Sequence, residues 1–170
     1  MKTSIILLFA LSMTIASFNT IKPEERITKA DAAGERMAQT VVSAFQHRSL
    51  QEYATLFPAV TTFHEIMEKN AALYGDHLNE AKEDFEMQYT REVLPAMNQS
   101  FKSIIAQGMK AGIDWSTIKL LDVTFNQHHG EQTTSAVITF ASNGKEYQLE
   151  FGKTMFLNGE WKVTQYVKLI

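Results

Sequence analysis

The fold is decided by the stretch SAVITFASNGKEYQLEFGKTMFLNGEWKV, residues 135–163. It holds two Asn-Gly pairs, Asn143-Gly144 and Asn158-Gly159, each flanked by alternating apolar and polar residues. Both central residues of a type I′ turn need positive φ, which Asn tolerates and Gly prefers, so each pair marks a two-residue hairpin loop. With Asn143-Gly144 as the loop, Ser142 faces Lys145. Outward from there Phe140 faces Tyr147, Ile138 faces Leu149 and Ala136 faces Phe151. The opposite face receives Ala141 with Glu146, Thr139 with Gln148 and Val137 with Glu150. One face is apolar and the other mostly polar, as in a half-buried antiparallel sheet.

The second loop pairs Phe156 with Trp161 and Thr154 with Val163. These positions are even-numbered in the third strand, whereas Tyr147, Leu149 and Phe151 are odd, and a one-residue slip would expose one of the two sets. A bulge at Gly152-Lys153 restores the parity and bends the strand. The prediction is a strongly curved sheet whose concave face carries Phe140, Tyr147, Leu149, Phe151, Phe156, Trp161 and Val163. A first strand, residues 118–125, adds Leu121, Val123 and Phe125, and a polar link, residues 126–132, holds His128, His129 and Gly130. Residues 118–169 thus read as a four-stranded antiparallel meander in need of a cover.

Periodicity supplies that cover upstream. A first helix, starting near Thr28 or Asp31 and ending near Arg48, places Ala30, Ala33, Met37, Val41, Ala44 and Phe45 on one face. Ser49-Leu50-Gln51-Glu52 has the form of a capping box and opens a short helix that Pro58 stops. Thr62-Phe63-His64-Glu65 repeats the form and starts a third helix, ended around Gly75. Asp76 then caps a long amphipathic stretch in which Leu78, Phe85, Tyr89, Val93, Met97, Phe101 and Ile104 keep to one stripe. Pro95 within it predicts a kink or a break. Helices first and strands last define an α+β class, N-terminal helices packed on a curved four-stranded antiparallel meander.

The chain opens Met1-Lys2, followed by an apolar run, residues 5–16, with small residues Ala16 and Ser17 at its end. The run is shorter than the ~20 residues a bilayer span requires. It is the pattern of a secretory leader, with an uncleaved N-terminal anchor as the rival reading, and we expect residues 1–17 to be a signal peptide, 18–30 a linker and 31–170 one domain in a secreted or periplasmic protein. Losing Lys2 with the leader takes the formal net charge from −3 to −4. The charge is mildly acidic and has no basic stripe, which argues against a nucleic-acid partner, and after cleavage no segment is left to enter a membrane. With no cysteine the chain has neither disulfides nor thiol chemistry, and no lipoprotein anchor. Asn98-Gln99-Ser100 fits a glycosylation sequon but lies on a predicted helix.

The long first helix, the SLQEYATLFP helix of residues 49–58 and a curved meander ending NGEWKV, residues 158–163, resemble the cystatin-like folds. Among these the chain is most similar to the NTF2-like (nuclear transport factor 2-like) superfamily and to small exported bacterial domains on that plan. The resemblance implies a cone-shaped α+β domain. One departure is that residues 61–108 read as helical throughout, where such domains commonly insert a strand pair. The superfamily spans isomerases, dehydratases, cyclases and non-catalytic binding modules, so the resemblance implies no single function.

Chemical signals are sparse. His64 and Glu68 lie one helical turn apart, as two metal ligands would, but the second histidine of a His-Glu-x-x-His signature is missing and no metal is expected. His128-His129 reads as an exposed turn, and His47 and His77 as surface residues near helix ends. The acidic group Glu80, Glu83, Asp84 and Glu86 reads as a solvated helix face. There is no phosphate loop and no nucleophile–base constellation, and no cofactor is expected.

The best candidate ligand-binding set is aromatic: Tyr89, Phe140, Tyr147, Phe151 and Trp161, between helices and sheet. The same residues could simply fill the core. The expected function is a non-catalytic module that binds a small apolar ligand or a protein partner. The alternative is an isomerase- or hydrolase-type enzyme using Tyr89, His64 and Glu68. A homodimer through the outer sheet face, burying Val137 and Thr139, is a third reading.

Overall fold

A computed structural model describes the backbone of residues 23–127, 133–165 and 167–170, and side-chain surroundings from Ala32 onward except at residues 126–133 and 166. The expected signal peptide and the His128-His129 turn lie outside the described residues. Helix α1 spans Pro23–Gln46, α2 Leu50–Thr55, α3 Val60–Lys69, α4 Leu78–Gln88 and α5 Leu94–Lys110. The strands are β1 Lys119–Gln127, β2 Thr133–Ser142, β3 Lys145–Leu157, β4 Glu160–Val163 and β5 Val167–Leu169. This is the expected α+β arrangement, helices packed on a curved antiparallel sheet.

Both hairpins have the register that the Asn-Gly pairs dictate. Phe140 pairs with Tyr147, Ile138 with Leu149 and Ala136 with Phe151. In the second hairpin Phe156 pairs with Trp161 and Thr154 with Val163. Asn143 and Asn158 both sit at φ 51°, the left-handed region a type I′ turn requires. The parity change in β3 occurs where expected, because Thr134 pairs with Thr154 while Ala136 pairs with Phe151, leaving Ser135 opposite Gly152 and Lys153.

That bulge also divides the last strand. β4 pairs with β3 on one side of it and β5 on the other. Between them the Thr164 N–H donates to the Lys153 carbonyl at 2.9 Å. The fourth strand of the expected meander is therefore two short strands on one edge.

β1 departs from the expected face. Leu120 pairs with Phe140 but Asp122 with Thr139, so Leu121 is an extra residue in a second bulge. Leu121 is consequently 49% exposed, and Leu120, with Val123 and Phe125, packs against the core in its place. Phe156 is also 39% exposed, at the far end of the sheet.

α1 begins at Pro23, ahead of the Thr28 or Asp31 start expected from periodicity; proline's fixed φ suits the first helical position. Ala33, Met37, Val41, Ala44 and Phe45 are all buried. At its end Arg48 adopts φ 50° and the Ser49 N–H reaches back to the Ala44 carbonyl at 2.8 Å, a Schellman closure.

Capping departs from expectation at three places. Ser49 caps α2 by accepting from the Glu52 N–H at 3.1 Å, but the Ser49 N–H is already spent on Ala44. Glu52 instead accepts from Ser43 at 2.6 Å, so half a capping box forms. α3 starts at Val60, two residues before Thr62, without a side-chain cap. Asp76 lies in a 3₁₀ turn, and α4 begins after His77, also without a side-chain cap.

Pro95 produces neither a sharp break nor a regular helix. Residues Tyr89–Val93 form a π turn joining α4 to α5, closed by the Leu94 N–H on the Tyr89 carbonyl. Widening the turn just before Pro95 relieves the clash between its ring and the carbonyl four residues back.

The core lies between α1, α2, α5 and the concave sheet face. Phe45 stacks on Trp115 at 4.8 Å, Trp115 on Phe140 at 5.6 Å and Phe140 on Tyr147 at 5.8 Å. Tyr53 and Phe101 close the cluster from the helical side, 4.8 Å apart. A Cβ on Gly108 would overlap the Trp115 indole, so glycine there lets α5 approach the ring.

Candidate functional site

Of the five aromatic residues of the expected ligand site, Phe140, Phe151, Tyr147 and Trp161 gather in and around the core, and Tyr89 stands apart from it. Phe140 and Phe151 are fully buried and form part of the core cluster. Tyr147 is half-buried at its edge and donates its hydroxyl to the Ala111 carbonyl at 3.2 Å. Trp161, also half-buried, stacks on Phe125 at 4.8 Å and meets Phe156 edge-on at 5.3 Å. Tyr89 stands in the π turn, with its ring 6.1 Å from Phe85 and its hydroxyl donating to the Pro58 carbonyl at 3.0 Å. Burial pushes the Tyr89 phenol above its ordinary range.

The concavities formed by the described residues include two open depressions, both along the continuous α4–α5 helix. One is lined by Glu83, Glu86, Met87, Thr90 and Arg91, the other by Pro95, Asn98, Gln99, Lys102 and Ser103. None of the five aromatic residues lines either.

Two of the three enzymatic candidates, Glu68 and Tyr89, are engaged in other contacts. His64 Nε2 is buried without a protein partner, but the Glu68 carboxylate, one turn on, accepts from Lys82 Nζ at 2.5 Å. That hydrogen bond holds the carboxyl below its ordinary range, which suits a structural ion pair and not a general acid. Tyr89 is spent on a main-chain carbonyl. Among the described residues no three His, Asp or Glu side chains are placed to hold a metal ion. His47 pairs with Glu52 and His77 with Glu80, each at 3.2 Å on the surface. Glu80, Glu83, Asp84 and Glu86 are exposed.

On the outer sheet face Val137 and Thr139 are half-buried. Thr139 accepts from the Gln148 amide at 3.3 Å, and Lys168 pairs with Glu150 at 2.8 Å. Asn98 of the sequon lies in mid-helix α5, half-buried, with its Oδ1 out of contact with water.

Sequence reasoning passed over Trp115 at the centre of the molecule and read Tyr53 only as one of the residues that the short second helix buries. Trp115 is 1% exposed and donates Nε1–H to the Ile105 carbonyl at 3.0 Å. It enters a 3₁₀ turn capped by Asp114, which accepts from the Ser116 N–H at 3.1 Å; Asp-Trp-Ser before the first strand was the available signal. Tyr53, fully buried, has its phenol pushed up to about 12 by burial, against a smaller opposing contribution from the Ser100 side chain.

This architecture, helices over a bulged antiparallel sheet, is that of the cystatin-like folds. It is similar to the crystal structure of a cystatin-like protein from Ruminococcus gnavus, with a TM-score of 0.53 over 86% of this chain at 13% identity. The chain spans 46% of the length of that structure, and the likeness is one of fold. No family model matches the sequence, and no curated protein does. Among the described residues no helix is long and apolar enough to cross a membrane.

Proposed function

We propose that the chain is an exported, non-catalytic binding module whose ligand is a protein partner and not a small apolar molecule. The supporting observation is the use to which the aromatic set is put. Phe140 and Phe151 are consumed by the core, and Tyr147 and Trp161 stack on neighbouring rings. The Tyr89 and Tyr147 hydroxyls are both spent on main-chain carbonyls. A ligand pocket needs apolar walls around open space with a few free polar groups aimed inward, and these residues supply neither. Export rests on the leader-like residues 1–17. The isomerase or hydrolase reading loses two of its three residues, since Tyr89 and Glu68 are committed elsewhere and Glu68 is held ionised.

Native mass spectrometry of the mature protein, recovered from the exported fraction without refolding, tests this reading. The expected result is the bare mass of a chain lacking its leader. A stoichiometric organic adduct would replace it with a small-ligand reading, and a chain found only inside the cell with residues 1–17 intact would remove the export.

A further inference from the structure

The outward face of the α4–α5 helix carries both open depressions. We propose that a second copy of this chain docks antiparallel along it, about a twofold axis passing near Glu92 and Val93. Such an axis lays Glu83 of one copy opposite Lys102 of the other, Met87 opposite Asn98 and Thr90 opposite Pro95. The two open depressions are thereby superposed, because the first is built around Glu83, Met87 and Thr90 and the second around Pro95, Asn98 and Lys102. The Met87 side chain, 43% exposed, becomes the knob that enters the facing depression. Leu94, 39% exposed, lies opposite Arg91, whose aliphatic stem can cover it.

Charge favours the same register. Glu83 and Lys102 are exposed, and no ion pair among the described residues involves either. Each symmetric copy therefore offers one acidic and one basic end, so one contact forms two identical Glu83–Lys102 pairs, as an isologous interface requires. Glu86 meets the Gln99 amide in the same frame. The helix from 83 to 102 is roughly 30 Å long at ~1.5 Å per residue. A pair of such faces falls short of the ~1,600 Å² of a standard interface, so the dimer is reversible and weak.

Sedimentation velocity on the whole mature chain, up to about 300 µM to suit so small an interface, is the test. Wild type is expected to pass from monomer to dimer with rising concentration, and added salt should weaken the dimer because exposed charges are screened. Glu83→Lys and Lys102→Glu each convert both attractive pairs into repulsive ones, and each should weaken association about tenfold or more. An equimolar mixture of the two variants restores opposite charge at both ends and should recover the dimer. Met87→Asp should abolish it independently of those charges. Circular dichroism confirms that each variant is folded, the substituted positions being exposed. A wild type that stays monomeric overturns the proposal. So does a dimer indifferent to both charge reversals, which would place the contact elsewhere, or folded variants whose mixture stays monomeric.

Discussion

The sheet half and the α3–α4 hairpin both carry apolar stripes in their sequence, yet they end in different physical states. Around the sheet, Phe45, Tyr53, Trp115, Phe140 and Phe151 are all at most 1% exposed. In the hairpin, α3 buries Met67 and α4 buries no residue fully. The hairpin is held by the Phe63–Phe85 contact at 4.5 Å, the Lys82–Glu68 pair and the Tyr89 hydroxyl on Pro58. An apolar stripe is worth only what is packed against it. α1 and α5 lie on a broad apolar sheet, whereas α3 and α4 have chiefly each other. Opening free energies therefore differ along one chain, with the hairpin at the low end.

Substitutions on the two sides test that difference. Trp115→Ala removes the centre of the aromatic stack and should cost about 3–5 kcal/mol, read from the urea midpoint, with all probes shifting together.

Alkaline pH should act on the same side. Tyr53 is held neutral to about 12 in the fold, against about 10 unfolded. Between those values the unfolded chain has lost a proton that the folded chain keeps, so stability falls as pH rises. Two pKa units correspond to about 2–3 kcal/mol. Urea midpoints at pH 9 and 11 should therefore fall less in Tyr53→Phe than in wild type. Equal falls would show that the phenol is not desolvated.

Gly108→Ala forces a methyl group into the Trp115 ring and should cost about 1–3 kcal/mol, again globally.

In the hairpin, Phe85→Ala should cost on the order of 1 kcal/mol through the lost ring contact. Its signature is local: hydrogen exchange quickens in α3 and α4 while the sheet amides keep their protection. A global loss as large as that of Trp115→Ala would show that hairpin and sheet form one cooperative unit.

The smallest effect is the acid titration of Glu68, whose folded pKa is lowered by Lys82. Its contribution is complete above the ordinary glutamate value and fades as pH falls through the lowered one. Acid should therefore speed hairpin exchange in wild type, and Glu68→Gln should remove the difference.

The candidate site was legible only as a list of residue types. That Phe140 and Phe151 face inward follows from alternation, but whether inward means a pocket or a core depends on what arrives from α1, α5 and the Trp115 turn. The Trp115 ring takes up space beside Phe140, and nothing in the strand pattern announces it. The depressions along α4–α5 were invisible for a related reason. Met87 and Leu94 are apolar residues off the buried stripe, and only the packed fold shows which face of a helix remains open.

By itself the sequence determined the sheet: two Asn-Gly turns set the register, and the odd–even conflict around Gly152 demanded a bulge. These are local consequences of backbone sterics and a two-residue period. Tertiary structure decided the bulge that turns Leu121 outward, the π turn that absorbs Pro95, the caps that Ser49 shares and that Thr62 and Asp76 do not provide, and the filling of the concave face. Each of these is settled by competition among distant groups for the same space or the same hydrogen bond, and no window of neighbouring residues contains both competitors.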